Sequence, residues 1–228
     1  MRRSMDLVII NQPKVFPYRK EHQIAKRVVD VALCLLAMPL ALPLMTICAL
    51  AILLDSPGPV LFVQERIGKG ERRFWMYKFR TMQHNLDDSH HRGFMKAFVN
   101  GEIGDDENSG AIYKPVRAWQ ITRVGRILRK TSLDELPQLI NVLRGEMSLV
   151  GPRPNVSWEV EAYRSWHNER LEVLPGVTGL AQVRGRSGLV FDSIVKYDIE
   201  YIERQSLALD LKILWWTLIT VFFGTGAE

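Results

Sequence analysis

Asp134 and Glu135 are adjacent carboxylates within RKTSLDELPQLINVLRGEMSLVGPRP, Arg129 to Pro154, and Arg123, Arg126, Arg129 and Lys130 stand just before them. Ser132 and Glu135 have capping-box spacing. Pro137 cannot donate inside a helix and fits its first turn, which predicts a helix start near Leu133 or Asp134. One account is structural: acidic side chains stabilise a helix start and the arginines neutralise them. The other is chemical, because a carboxylate kept ionised by a helix end and by cations can attack phosphorus or hold a divalent cation. Hard oxygen ligands beside a phosphate favour Mg2+, with Asp134 and Glu135 as its ligands. Arg153, pinned between Pro152 and Pro154, is suited to a bidentate phosphate contact.

Further cations extend the candidate site. Val60 to Met82 alternates loosely, is rich in β-branched and aromatic residues, and has IGKGER as a tight turn, so it predicts a two-stranded ribbon. Lys78 and Arg80, two apart in a strand, would share one face and either bind a phosphate or meet solvent. Arg184 and Arg186 lie in the glycine-rich segment Pro175 to Leu189, which reads equally as a ligand-wrapping loop or an exposed turn. His84, Asp88 and His91 could share a helical face, but a solvated turn is the better reading. Asp105 to Gly110 starts like a calcium loop, yet Val116 stands where its bidentate glutamate belongs, which excludes that site.

The element that must carry this machinery is Val28 to Leu54, whose one charge is Asp30. Its length suffices to cross a bilayer. Pro39 and Pro43 favour a bend or break at mid-depth. Basic flanks at Arg19, Lys20, Lys26 and Arg27, and at Arg66, Lys69, Arg72 and Arg73, both prefer the cytoplasmic face. A re-entrant helix-break-helix satisfies both ends, ahead of a bent spanning helix or a buried core helix. Cys34 and Cys48 both sit inside this run and read as small hydrophobes, not a disulfide framework. Leu207 to Gly224, with paired tryptophans, reads as a shallow membrane-associated helix.

The expected organisation is an N-terminal tail and interfacial lead-in at 1–25, a membrane helix at 26–54, a catalytic domain at 55–206 and a C-terminal helix and tail at 207–228. Within the domain, 84–115 is expected to hold a short helix, GFMKAFV, between mobile loops. Helices are predicted over Asn155 to Leu174 and Phe191 to Glu203. The class is α+β, a monotopic membrane protein with a small β-ribbon, a cytoplasmic helical body and interfacial amphipathic helices. A formal charge of +5 favours anionic lipid or phosphate-bearing ligands. Nucleic acid is disfavoured, since no recognition-helix or zinc-finger spacing accompanies the charge.

KFRTM (Lys78 to Met82), TSLDELPQLINVLRGEMSLVGPRP (Thr131 to Pro154) and PGVTGLAQVRGRSG (Pro175 to Gly188) resemble, in order, blocks of the bacterial sugar transferases, the monotopic phosphoglycosyl transferases. The resemblance covers about Lys26 to Ala227. It implies transfer of a sugar-1-phosphate from a UDP-sugar to polyprenyl (undecaprenyl) phosphate at the cytoplasmic face of a bacterial inner membrane, releasing UMP. It further implies Asp134 as nucleophile, Glu135 beside it, Mg2+ at the site, and Arg129 and Arg153 on the phosphates. The chain is expected to correspond to the catalytic core of larger members, and whether it forms a homodimer stays open. Many small members have Ser-Pro at the helix break, where this chain has Met38-Pro39. The competing readings are a membrane-bound phosphatase or nucleotidyl transferase acting on a related diphosphate, and a non-enzymatic scaffold.

Overall fold

The computed structural model describes residues 20–84, 89–102, 118–185 and 189–223. The N-terminal tail, Asp88, the Asp105–Gly110 segment and Arg186 lie outside them.

The first helix, α1, is Lys20–Asp55. Lys26, Asp30, Cys34, Ala41, Cys48 and Ile52 are its buried residues, spaced by four or seven, so they form one stripe along its length. The opposite face exposes Leu35, Leu36, Leu40, Leu42, Ile47, Leu50, Leu53 and Leu54. An apolar face of that extent is stable only against lipid or another apolar partner. The chain stays helical through Pro39 and Pro43. The reason is geometric. Leu35, Pro39 and Pro43 are all exposed, so the carbonyls that lose donors lie on the outer side while the body-facing ladder persists.

Both ends of α1 return to the same body. Near its start, Lys26 Nζ lies 2.7 Å from Asp210 Oδ2, and Asp30 accepts from Ser148 Oγ at 2.7 Å and Leu149 N at 3.2 Å. Arg27 donates to the carbonyls of Val142 and Leu143, capping the C-terminal turn of a helix in the body. Lys26 and Arg27 are thereby turned to protein. At the far end, Asp55 Oδ2 accepts from Val124 N at 2.9 Å, and Arg80 grips the carbonyls of Ser56 and Pro57. A helix fastened at both ends to one body keeps both ends on the same side of any membrane it meets. The architecture is monotopic.

The ribbon forms as expected. Strands β1 (Leu61–Ile67) and β2 (Arg73–Phe79) pair antiparallel, Leu61 opposite Phe79 and Ile67 opposite Arg73. Helix α2 (Ser89–Asn100) contains GFMKAFV. Next come α3 (Arg123–Thr131), α4 (Gln138–Arg144) and strand β3 (Ser148–Val150). The helix expected over Asn155 to Leu174 is instead two pieces: a single turn, α5 (Ser157–Val160), and a 3-10 segment, Ser165–Glu172. They part because Arg164 is extended and its N–H donates to His167 Nδ1. Gly176–Thr178, expected as loop, is strand β4, parallel to β3, and leads into α6 (Leu180–Arg184). Gly151 and Gly176 let these segments touch, since a Cβ on either would strike the other's backbone.

Helices α7 (Phe191–Glu203) and α8 (Leu207–Phe223) complete the body. Ile213 of α8 is buried with Val150, Val173, Leu180, Tyr201 and Ile202, while Leu211, Trp215, Leu218 and Ile219 face outward. The helix is therefore apolar on both faces, one packed on the body and one turned outward, as an element resting against lipid requires. Cys34 packs with Phe74, Met76, Val142 and Met147, and Cys48 and Ile52 pack with Phe79 and Leu128. The membrane helix thus supplies part of two body cores.

Candidate active site

Three elements converge on Asp134 and Glu135. Asn141 of α4 accepts from Tyr77 N at 3.1 Å and donates to the Trp75 carbonyl at 2.7 Å, which locks α4 against β2 and holds Lys78 beside the carboxylates. Helix α3 lies against the end of the KFRTM block at Gly125, where any Cβ would collide with the Thr81 carbonyl. One turn later, Arg129 Nε donates to Thr81 Oγ1 at 2.9 Å.

Between α3 and α4 the chain turns at Ser132, which has the left-handed values φ 56 and ψ 17. Such a conformation is uncommon outside glycine and is retained where surrounding structure enforces it. The expected capping box does not form: an N-cap needs extended backbone, and Ser132 makes no side-chain cap. Leu133–Glu135 is a 3-10 turn, and α4 begins after Pro137. Glu135 is thereby released from capping. Its Oε1 accepts from Lys78 Nζ at 2.7 Å and from Arg153 Nη1 at 3.3 Å.

Arg153 is presented by a braced segment. The Pro152 carbonyl accepts from Gly176 N at 2.9 Å, the Arg153 carbonyl from Arg170 Nη2 at 3.1 Å and the Pro154 carbonyl from Arg66 Nη1 at 3.0 Å. Arg170 is in turn paired with buried Asp198 at 2.6 Å. The backbone is fixed while the Arg153 side chain stays half exposed, available to a ligand.

The two carboxylates differ electrically. Burial would raise Glu135, but Lys78 and Arg153 overcome it and hold its carboxyl at about 2. Burial and the Glu135 charge together raise Asp134 above its ordinary value, against the pull of Lys78, Arg153 and Arg129. This reverses the expectation that helix end and cations keep the nucleophile strongly ionised. Lys78 is lowered by burial and by Arg153, against Glu135. The pair thus divides into a permanent anion that anchors cations and a more basic neighbour.

These features have a counterpart in known proteins. The model of the family described as bacterial sugar transferase matches residues 21–224. The chain belongs to that family. Among relatives, a UDP-glucose:undecaprenyl-phosphate glucose-1-phosphate transferase of Caulobacter vibrioides is 44% identical, over 83% of this chain and 66% of its own. The galactosyl transferase CpsE of Streptococcus agalactiae is 38% identical, over 92% of this chain and 45% of its own. The exopolysaccharide production protein ExoY of Sinorhizobium fredii is 36% identical, over 90% of this chain and 88% of its own. The chain spans about half the length of the Streptococcus relative, two thirds of the Caulobacter one and most of the Sinorhizobium one.

Of the residues singled out in this sugar transferase family member's sequence, Lys78, Asp134, Glu135 and Arg153 meet, with Arg129 close enough to Asp134 to act on its charge. Arg80 goes elsewhere. Strand β2 ends at Phe79, so the parity that pairs it with Lys78 fails, and its guanidinium is spent on Ser56 and Pro57. Arg184 lies over the Trp216 ring, 5.8 Å from its centre. Pro39 and Pro43 face outward from α1. A cavity next to the carboxylates is lined by Arg66, Met76, Lys78, Gln138, Arg153, Pro154, Gly176 and Val177. In the sequence, Arg66 stands out only as one of the basic residues flanking the apolar run, and Gln138 does not stand out. The signal for Gln138 was its place at the first helical position after Pro137.

Among the described residues, no three His, Cys, Asp or Glu side chains gather as a protein-only metal cage. Two adjacent carboxylates do suit Mg2+, which commonly takes one or two protein carboxylates and completes its shell with phosphate oxygens and water. Glu135 Oε1 already serves Lys78 and Arg153, which leaves Oε2 and the Asp134 carboxylate as the oxygens for such an ion.

Proposed function

We propose that the chain transfers a sugar-1-phosphate from a UDP-sugar to polyprenyl (undecaprenyl) phosphate, giving polyprenyl-diphosphate-sugar and UMP, by a ping-pong mechanism through Asp134. The observation that carries this reading is the division of labour in the dyad: Glu135 fixed as an anion between Lys78 and Arg153, Asp134 left as the more basic carboxylate beside them. The printed names of relatives acting on UDP-sugars and undecaprenyl phosphate support it. Basic flanks on both sides of α1 favour the cytoplasmic face of the bacterial inner membrane. The reaction would be the first membrane step of exopolysaccharide, capsule or O-antigen assembly.

The donor is soluble and the acceptor is fixed at the membrane surface, so storing the phosphosugar on the protein lets one site serve both in turn. An ionised Asp134 oxygen attacks the donor's β-phosphorus. The bond from that phosphorus to the bridging oxygen breaks, and UMP leaves with the electron pair. Lys78, Arg129 and Arg153 offset the diphosphate charge that would otherwise repel the carboxylate. A phosphate oxygen of the polyprenyl acceptor then attacks the same phosphorus, and the Asp134 carboxylate departs unchanged. Held by Asp134 and Glu135, Mg2+ would supply further neutralisation of the diphosphate charge. Water must be kept from the acyl phosphate in between, and a site next to the membrane helps to do so.

Intact-protein mass after incubation with UDP-sugar alone tests the scheme, with a panel of UDP-sugars identifying the hexose. An added sugar phosphate is expected in the wild type and absent in Asp134→Asn. Transfer through an obligatory ternary complex, with no adduct on rapid quench and no exchange with labelled UMP, would defeat it. Free sugar phosphate as the product would indicate a hydrolase.

A further inference from the structure

The cavity beside the dyad has hydrogen-bonding groups that the transfer steps above leave unused. Gln138, the first residue of α4, is 2% exposed and lines the cavity, so its amide is turned toward the cavity wall and away from bulk solvent. A polar side chain taken out of water is costly unless something satisfies it. Arg66, near the end of β1, also lines the cavity. It spends Nη1 on the Pro154 carbonyl at 3.0 Å and Nη2 on Gln64 Oε1 at 2.6 Å, and its buried Nε is left without a partner.

Charge points the same way. Arg66, Lys78 and Arg153 surround one cavity, and Lys78 and Arg153 share a single carboxylate oxygen of Glu135. Glu159 also acts on Arg66, but its Oε2 is committed to Val156 N at 3.1 Å. Met76 and Val177 form the apolar part of the wall, which lowers the local dielectric and strengthens any charge-assisted bond made inside. A tetrahedral phosphoryl group fits this chemistry: it presents several acceptors to guanidinium, ammonium and amide donors at once.

We propose that this cavity is a phosphoryl subsite, distinct from the attacked phosphorus, in which Arg66 and Gln138 bind substrate directly. That the ligand is a substrate rests on the transferase reading; that the cavity takes a phosphoryl anion does not. The phosphate belongs either to the nucleotide half of the donor or to the polyprenyl acceptor.

The test uses the full chain in detergent and inorganic pyrophosphate as the calorimetric probe. Gln138→Glu keeps the side-chain shape and puts a negative charge into the cavity, so pyrophosphate binding should weaken at least about tenfold. Arg66→Gln should weaken it comparably, and Arg66→Lys should restore part of the loss. In turnover, KM for one substrate should rise about tenfold while kcat stays within about threefold. A rise for the UDP-sugar assigns the subsite to the donor, and a rise for polyprenyl phosphate assigns it to the acceptor. Wild-type pyrophosphate affinity in a folded Gln138→Glu variant, or no pyrophosphate binding by the wild type, overturns the subsite. Because this binding is read without turnover, a wild type that binds pyrophosphate in a Gln138-dependent way yet transfers nothing defeats the transferase reading and leaves the subsite standing.

Discussion

Replacing Lys78 by methionine removes a charge while keeping an unbranched chain of similar length, and the structure gives the outcome a sign and a size. Glu135 falls from its ordinary 4.5 to about 2, with Lys78 the leading attractive contributor. That lowering corresponds to about 3 kcal/mol favouring the charged carboxylate, and losing Lys78 should forfeit a large share of it. Asp134 loses its foremost attractive neighbour in the same step, so its already raised pKa climbs further. Asp134 attacks only when ionised. The labelling rate therefore falls as pH drops through that raised value, and in Lys78→Met the acid limb should move upward. At neutral pH, loss of a charge-assisted contact to the reacting phosphoryl group should slow labelling about 10- to 100-fold. The assay is the rate of protein labelling by UDP-sugar, followed by intact mass under rapid quench across pH. A folded variant whose acid limb stays in place or moves downward would refute the reasoning, because Lys78 would then not be the cation that governs Asp134.

Glu135→Gln should do the opposite to the pH profile. Removing the neighbouring negative charge lets Asp134 ionise more easily, so the acid limb moves downward, while turnover drops at least about tenfold because Lys78 and Arg153 lose their common anchor. Arg153→Ala should lower turnover well over tenfold, by about 2 to 4 kcal/mol of transition-state stabilisation, with a melting temperature close to the wild type since the segment is held through its carbonyls. Full activity would make Arg153 structural. Single cysteines at Lys20 and Lys69 in membrane vesicles should react with an impermeant label from the same side. Labelling from opposite sides would contradict the monotopic path of α1.

How much of this was legible in the sequence depended on whether a residue's role is set by near neighbours. The ribbon follows from alternation around IGKGER, and α7 from its own helical period. Asp134, Glu135 and Arg153 stand out through local chemistry, adjacent acids beside arginines and an arginine between prolines. Arg80 could not be placed that way: its fate is decided by carbonyls 24 residues earlier, at the end of α1. Ser132 carried the letters of a capping box, but α3 ends in a left-handed turn there and the Glu135 partner is claimed by Lys78. Asn155 to Leu174 looked helical because nothing local shows that Arg170 must turn inward to Asp198 and to the Arg153 carbonyl. The parallel pairing of β3 with β4 joins residues 28 apart, and no pattern in PGVTG announces it.

The anchoring of α1 at both ends bears on how the protein can be made and handled. Cutting the chain after Asp55 would not liberate a water-soluble enzyme. It would strip Cys34, Cys48 and Ile52 from two cores, orphan Ser148 and Asp210, and unfasten the carbonyls at the end of α4. Whatever covers the outer face of α1, bilayer or detergent, therefore has to be supplied to the catalytic body as well as to the helix, because the two share their cores.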